Sequence, residues 1–216
     1  MSDRRLGDLL DAAAAGTYPA PDGRVEVVPS PPGLADAVVA FTAHSVVAAD
    51  LDANDVVAQL PEESLSAPLQ PPFLTWLARQ LGSDAGSLDV MLVATGVRAA
   101  GIELFELDEA DHHRLCRAHR YRSDVRVYAP PSGGALVILG RGLARRHEVS
   151  IEVDRARRGE GLGRSLAQAA RSFVPEGEPL FAQVAPGNAA SLRAFLAAGF
   201  RPIGAEVLFL KSQPTG

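Results

Sequence analysis

Glu152-Val153-Asp154-Arg155-Ala156-Arg157-Arg158-Gly159-Glu160-Gly161-Leu162-Gly163-Arg164 places three glycines on alternate positions between two periodic segments. Upstream, Val149, Ile151 and Val153 alternate with Glu148, Ser150 and Glu152, the period of two that marks a strand. Downstream, Leu162, Leu166, Ala169 and Phe173 recur at helical spacing. Side chains would block a close approach to the turn between them, and glycines do not. The first N–H groups of a helix have no intrahelical partner and lie at the positive end of its dipole. A strand, a glycine turn and a helix start therefore make an anion cradle suited to phosphate.

The spacing narrows the choice of cradle. A Walker loop needs Gly-Lys-Ser/Thr after four intervening residues, which this stretch lacks. The dinucleotide fingerprint G-x-G-x-x-G fails at Arg164 after Gly159 and Gly161, and again at Arg145 after Gly140 and Gly142. What remains is Arg158-x-x-Gly161-x-Gly163 after a hydrophobic strand ending at Val153. Further on, the apolar strand Leu180–Val184 is followed by Asn188-Ala189-Ala190-Ser191-Leu192-Arg193-Ala194-Phe195-Leu196-Ala197-Ala198-Gly199-Phe200. Asn188 suits a helix N-cap, Leu192, Phe195 and Leu196 form one apolar face, and Gly199 suits the helix end. The two signatures, in this order, resemble the pyrophosphate-binding motif and the following strand–Asn–helix–Gly-Phe motif of the GNAT superfamily, the acyl-CoA N-acyltransferases. The resemblance covers about Leu88 to Lys211, with its motifs between Val149 and Phe200.

The resemblance implies an α/β fold of the α+β, mixed-sheet kind. Its central, mostly antiparallel sheet would be splayed at the acyl-CoA site and flanked by helices. Residues 88–216 would form the acyltransferase domain. Residues 1–87 would be an N-terminal helical or αβ extension, either shaping the acceptor site or being a degenerate copy of the same fold. The implied reaction moves an acetyl or other short acyl group from acetyl-CoA, a co-substrate, to an amine by direct attack, with no metal. By the same resemblance, backbone at Val153 pairs with the pantetheine arm. The amides of Gly159, Glu160, Gly161, Leu162, Gly163 and Arg164, with Arg158, hold the pyrophosphate. Asn188 and Ser191 sit where the family contacts pantetheine or a bound water. The family's Tyr acid corresponds to Phe195, which has no proton to give; Tyr121 and Tyr128 are the substitutes considered.

For the general base, the family's position before the valine points to His147 or Glu148. A histidine titrates near neutral pH and suits the task. Glu148 and Glu152 share the polar face of the same strand. They read either as a salt-bridged face or as acids that attract a cationic amine. The acceptor is a small-molecule or peptide amine, with neither nucleic acid nor membrane as partner, and a homodimer is compatible with the reading. The alternative function is an acyl-CoA-binding sensor that does not turn over, which Phe195 favours.

Composition agrees with such a protein. The chain has 216 residues, 47% hydrophobic and 22% charged, enough for a sizeable core. Its formal charge of −5 argues against a general nucleic-acid binder. No apolar run is long enough to span a bilayer, and Met1–Arg5 leads into no signal-peptide core. A single cysteine, Cys116, fits a reducing cytoplasm and reads as a small buried residue. Arg145, Arg146, Arg155, Arg157 and Arg158 cluster near the cradle; a phosphorylated ligand accounts for Arg158 and suits Arg164.

Elsewhere, residues 1–22 read as a frayed lead-in with one helical turn at Leu6, Leu9 and Leu10. Val25–Val28 is a strand, and Leu34–Ala49 has helical character with His44 either a core histidine or a residue lining the acceptor pocket. Asp50–Leu60 is a short helix, Pro61–Pro72 a loop and Phe73–Leu81 a helix. In the second part, Asp89–Ala94, Val125–Ala129, Ala135–Leu139, Glu148–Val153 and Glu206–Leu210 read as strands. Pro130–Gly134 is a hairpin turn and Ala110–Tyr121 a basic helix. His112, His113 and His119 on that helix lack the partners of a metal site and read as surface residues.

Overall fold

The chain runs through α1 (Arg5–Ala14), β1 (Val25–Val28), β2 (Ala35–Phe41), β3 (His44–Ala48), α2 (Ala53–Val57), α3 (Pro71–Leu81), β4 (Ala85–Thr95) and β5 (Phe105–Leu107). It continues through α4 (His113–Tyr121), β6 (Ser123–Ala129), β7 (Ala135–Arg141), β8 (His147–Val153), α5 (Leu162–Ala170), β9 (Pro179–Val184), α6 (Ala189–Ala197) and β10 (Arg201–Leu210). The computed structural model describes residues 4–61, 64–99, 101–107 and 113–211. The result is a mixed α/β fold whose strands pair both parallel and antiparallel and carry helices on their faces. Among the described residues no helix is long and apolar enough to cross a membrane.

The chain divides into two units. The first takes the chain up to Val90, Leu143–Arg145, and the chain from Ile203 on. In it the strand order is β1-β3-β2-β10, parallel between β1 and β3 and antiparallel elsewhere. The expected helix over Leu34–Ala49 is instead the hairpin β2–β3, turning at Ala43 with φ 51°. Valines at 38, 39, 46 and 47 are β-branched and favour a pleated surface. Nearly every residue of both strands is buried, so the pattern is a continuous apolar run with no alternation to reveal a strand. Val38, Val47 and Val207 pack with Val56, Phe73, Leu77 and Phe209 as the core of this unit.

The lead-in also differs from expectation. Arg5–Ala14 is a full helix that buries Leu6, Leu9, Leu10, Ala13 and Ala14. Asp52 caps α2, its side chain accepting from Asn54 N and Asp55 N. The loop before α3 contains a short 3-10 turn at Ala67–Leu69. Pro71 opens α3 in its first turn, where a missing N–H costs nothing, and Gly82 closes it at φ 59°. His44 begins β3 and is not helical; it is buried, with Nδ1 2.9 Å from Asp22 Oδ1.

The second unit takes Met91–Gly142 and Arg146–Pro202. Its strand order is β9-β8-β7-β6-β5, antiparallel except for the parallel pair β8–β9. The Pro130–Gly134 turn joins β6 to β7, with Gly133 N donating to Pro130 O at 2.9 Å. The three-residue strand β5, absent from the sequence reading, is too short to show a period. Of the expected helix over Ala110–Tyr121, residues 110–112, His112 among them, lie outside the described residues. Cys116 on α4 is exposed, contrary to its reading as buried, because Ala118 is the residue of that helix that turns into the sheet.

The register assigns the faces. Leu136↔Glu152, Ile138↔Ser150 and Gly140↔Glu148 are opposite pairs of β7 and β8 and share one face; α4 packs on its β7 residues Leu136 and Ile138 through Leu115 and Ala118. Val137↔Ile151 and Leu139↔Val149 point the other way, toward α5.

Candidate functional site

Strand β8 has seven residues, but only His147↔Leu180 and Glu148↔Phe181 pair it with β9. From Val149 to Val153 the two strands have separated. At the far end of that open stretch the chain enters the glycine turn. Gly159 and Gly161 adopt φ 90° and φ 78°, the left-handed region that favours glycine. A Cβ at either would meet nothing within 4 Å, so the space beside the turn is open. Gly161 is the N-cap of the nine-residue α5. The amides of Gly159, Glu160, Gly161, Leu162 and Gly163 donate to no acceptor among the described residues. Five unspent donors thus follow one another into a helix start, with open space beside Gly159 and Gly161.

Gly163 has a different task. A Cβ there would stand 3.5 Å from Ala194 Cβ and 3.9 Å from Val153 Cγ2, so it lies where α5, α6 and β8 meet. Arg164 is exposed on the first turn of α5. Arg158 reaches back, its Nε donating to Val153 O at 3.1 Å, and so occupies the backbone acceptor at the end of the open strand. Arg157 is held by Glu160 and by Gly133 O, and Arg155 is exposed. Asn188 caps α6 by accepting from Ser191 N at 3.1 Å, which spends the Asn188 side-chain oxygen within the helix start. Phe195 is buried, its ring edge-on to Phe200 at 4.9 Å. Of the two substitute tyrosines, Tyr128 is buried on the α5 side, stacked on Phe173 at 4.1 Å, and Arg117 lies over the ring of Tyr121. Burial pushes the Tyr128 hydroxyl pKa up.

The three base candidates do not come together. His147 stands at the paired end of β8, six residues and about 20 Å from Val153 along the strand, on the face opposite Glu148 and Glu152. Its Nε2 lies 3.4 Å from Glu178 Oε2, and burial followed by Arg141 pulls its pKa down. Glu148 is 1% exposed. It accepts from Arg122 Nε at 2.9 Å and from Arg146 Nε at 2.8 Å. Burial opposes its ionised form, but the two guanidinium groups outweigh it and hold the carboxyl below its ordinary range. Glu148 is therefore a fixed counter-ion at the closed end of the splay. Glu152, partly buried, lies on the open stretch of β8.

Arg122 was not legible as a site residue, being separated by 26 positions from Glu148. It extends beyond Glu148: Nη1 donates to Ser150 Oγ at 3.1 Å and Nη2 to Gln183 Oε1 at 3.2 Å. Arg146 donates to Glu148, meets Met91 Sδ at 3.4 Å, and lies over Phe181 at 4.9 Å. Arg146-x-Glu148 spacing puts both on one side of an extended chain, a signal the sequence does hold. Among the described residues no group of three or more His, Cys, Asp or Glu could hold a metal ion.

No family model matches the chain, and no curated protein does. Among solved structures it is similar to an acetyltransferase from the GNAT family from Colwellia psychrerythraea, at 14% identity over 66% of this chain and 63% of that one, TM-score 0.40. It is similar to a GCN5-related N-acetyltransferase from Kribbella flavida, at 18% identity over 67% and 65% of the two chains, TM-score 0.41. A tandem GNAT protein from the clavulanic acid biosynthesis pathway is similar at 15% identity over 73% and 63%, TM-score 0.38. The chain spans less than two thirds of the length of each of these structures.

Proposed function

We propose that this protein transfers an acetyl or other short acyl group from acyl-CoA to an amine by direct attack. The observation that carries the reading is the row of unspent amides from Gly159 to Gly163, at the start of α5 and at the open end of β8. A pyrophosphate accepts from such a row through several oxygens, and the helix dipole favours its charge. The arm attached to that pyrophosphate would lie between β8 and β9, where paired backbone ends after Glu148 and Phe181. Arg158 would then give up Val153 O to the arm and turn its guanidinium toward phosphate.

In the step itself the amine nitrogen lone pair attacks the thioester carbonyl carbon. The C–N bond forms, the C–S bond breaks, and its electron pair leaves on sulfur. The amine proton passes to Glu152, the one candidate base on the open stretch of β8. The thiolate leaves as an anion, since a free thiol titrates at about 8.5 and the anion is a tolerable leaving group near neutral pH. Phe195 gives it no proton.

The test is release of free thiol from acetyl-CoA with a panel of primary amines, beside direct binding of acetyl-CoA. Release with any amine supports transfer. Saturable binding with no release across the panel supports the second reading, an acyl-CoA-binding sensor, which the buried Phe195 at the acid position favours. No binding overturns both.

A further inference from the structure

Gln183 on β9 is two residues past Phe181, and Ser150 on β8 is two past Glu148, so the pair stands level just beyond the last point of strand contact. Arg122 bridges them from the α4 side, donating to Ser150 Oγ and to Gln183 Oε1. A guanidinium can only donate, so the Gln183 amide is oriented: its oxygen must face Arg122 and its NH2 must face away. That Nε2 is buried from solvent and has no partner among the described residues. A buried donor left unmade costs free energy that a hydrogen bond to a ligand would recover.

The position of this donor limits what it can address. Side chains stand roughly perpendicular to a sheet, so the amide ends above the plane in which a thioester threaded between β8 and β9 would lie. The attacking nitrogen cannot be its target either, because that lone pair must form the new C–N bond. The donor fits a second atom of the acceptor, an oxygen close to the amine and on the same side of the sheet as Ser150 and Glu152.

We infer that Gln183 selects the acceptor: the amine substrate carries a carbonyl oxygen on the carbon next to the amine-bearing one, as in an amino-acid amide or a peptide N-terminus, and that oxygen accepts from Gln183 Nε2. This rests on the acyl-transfer reading above. Arg122 is the positioning residue that fixes the amide. A site built to hydrogen-bond a substrate group rejects an analogue lacking it far more strongly than a pocket discriminates by size.

The experiment compares alaninamide with sec-butylamine, which replaces the amide by an ethyl group, in thiol release from acetyl-CoA by wild type and Gln183→Leu. Counted per unprotonated amine, because an α-amino group titrates at about 8 and an alkyl amine at about 10.4, wild type should prefer alaninamide by more than about 10-fold in kcat/KM, and Gln183→Leu should erase that corrected preference while binding acetyl-CoA normally. Ala-Ala-Ala-amide in the same assay separates a peptide end from a free small acceptor. In 15N-glutamine-labelled protein loaded with CoA, the side-chain NH2 resonance missing from Gln183→Leu should shift with alaninamide and not with sec-butylamine. Equal corrected rates for the two amines, an unchanged ratio in Gln183→Leu, or acetyl-CoA binding with neither release nor a shift would each overturn this inference while leaving the coenzyme site standing. Loss of acetyl-CoA binding in wild type would instead overturn the reading beneath it.

Discussion

Arg122 Nε donates to Glu148 Oε2 at 2.9 Å, and both side chains are buried. The pair, completed by Arg146, stands at the point at which β8 and β9 part. Removing one partner of a buried ion pair strands the other, at a cost of about 3–5 kcal/mol. Arg122→Met leaves Glu148 still paired with Arg146, so it should lose stability by less than that full amount, read in urea melts.

The same cluster gives a pH dependence with a definite sign. The folded pKa of Glu148 is depressed, so its stabilising contribution is complete above the unfolded carboxylate value of about 4.3. It is lost as pH falls through the lower folded value. Glu148→Gln should be less stable than wild type at neutral pH, and the gap should close as the solution is acidified below that range. A gap that stays constant with pH would mean that Glu148 is not ionised in the folded protein.

Gly142 borders the same carboxylate. A Cβ at 142 would overlap Glu148, and Gly142 N already donates to Arg146 O at 3.0 Å. Two guanidinium groups pin the carboxylate, so it cannot move aside cheaply. Gly142→Ala should therefore cost at least the ~1–3 kcal/mol typical of overpacking, checked by denaturant midpoints.

Gly163 is the contrast. Its α5 position is helical and a Cβ would make ordinary contact with Ala194. Gly163→Ala should stay folded and gain up to about 0.5–1 kcal/mol, read as a rise in Tm. A loss would show that the junction of α5, α6 and β8 has no room for one methyl group.

These sites differ in how far sequence reveals them. The strand, glycine turn and helix around Gly159–Gly163 were readable because their demands are local: a period of two, then left-handed glycines, then a period near 3.6, all within Glu148–Phe173. Asn188 was readable for the same reason. The hairpin β2–β3 was not, because strands buried on both faces give a continuous apolar run that periodicity cannot separate from a buried helix. The role of Glu148 was not either. Its partner Arg122 lies 26 residues away, and only the folded structure decides that a glutamate on a polar strand face is buried between Arg122 and Arg146. His147 suited a base by its chemistry, but one residue along a strand changes the face, and it stands at the closed end of the splay.

Phe195, at the position the resemblance gives to an acid, packs its ring into the core against Phe200. General-acid help is worth ~10²–10⁴-fold when a step needs it, but a thiolate leaves readily near neutral pH. Phe195→Tyr should raise thiol release only modestly, at or below the bottom of that range, with acetyl-CoA affinity little changed. Rates measured over several pH values check this; a large gain that disappears as pH rises through the tyrosine's own value of about 10 would show that protonation of the leaving group limits turnover.

The central claim is that the Gly159–Gly163 amides hold the pyrophosphate of coenzyme A. Calorimetric titration of CoA into wild type, Gly161→Val and Gly161→Asn tests it most directly. Asparagine tolerates the left-handed turn that Gly161 adopts, and the space beside that turn is open, so Gly161→Asn retains the fold while filling the cradle. Wild type should bind CoA saturably, and both variants, with unchanged circular dichroism, should bind at least about tenfold more weakly, roughly 1.4 kcal/mol. Folded variants that bind CoA as tightly as wild type would contradict the account.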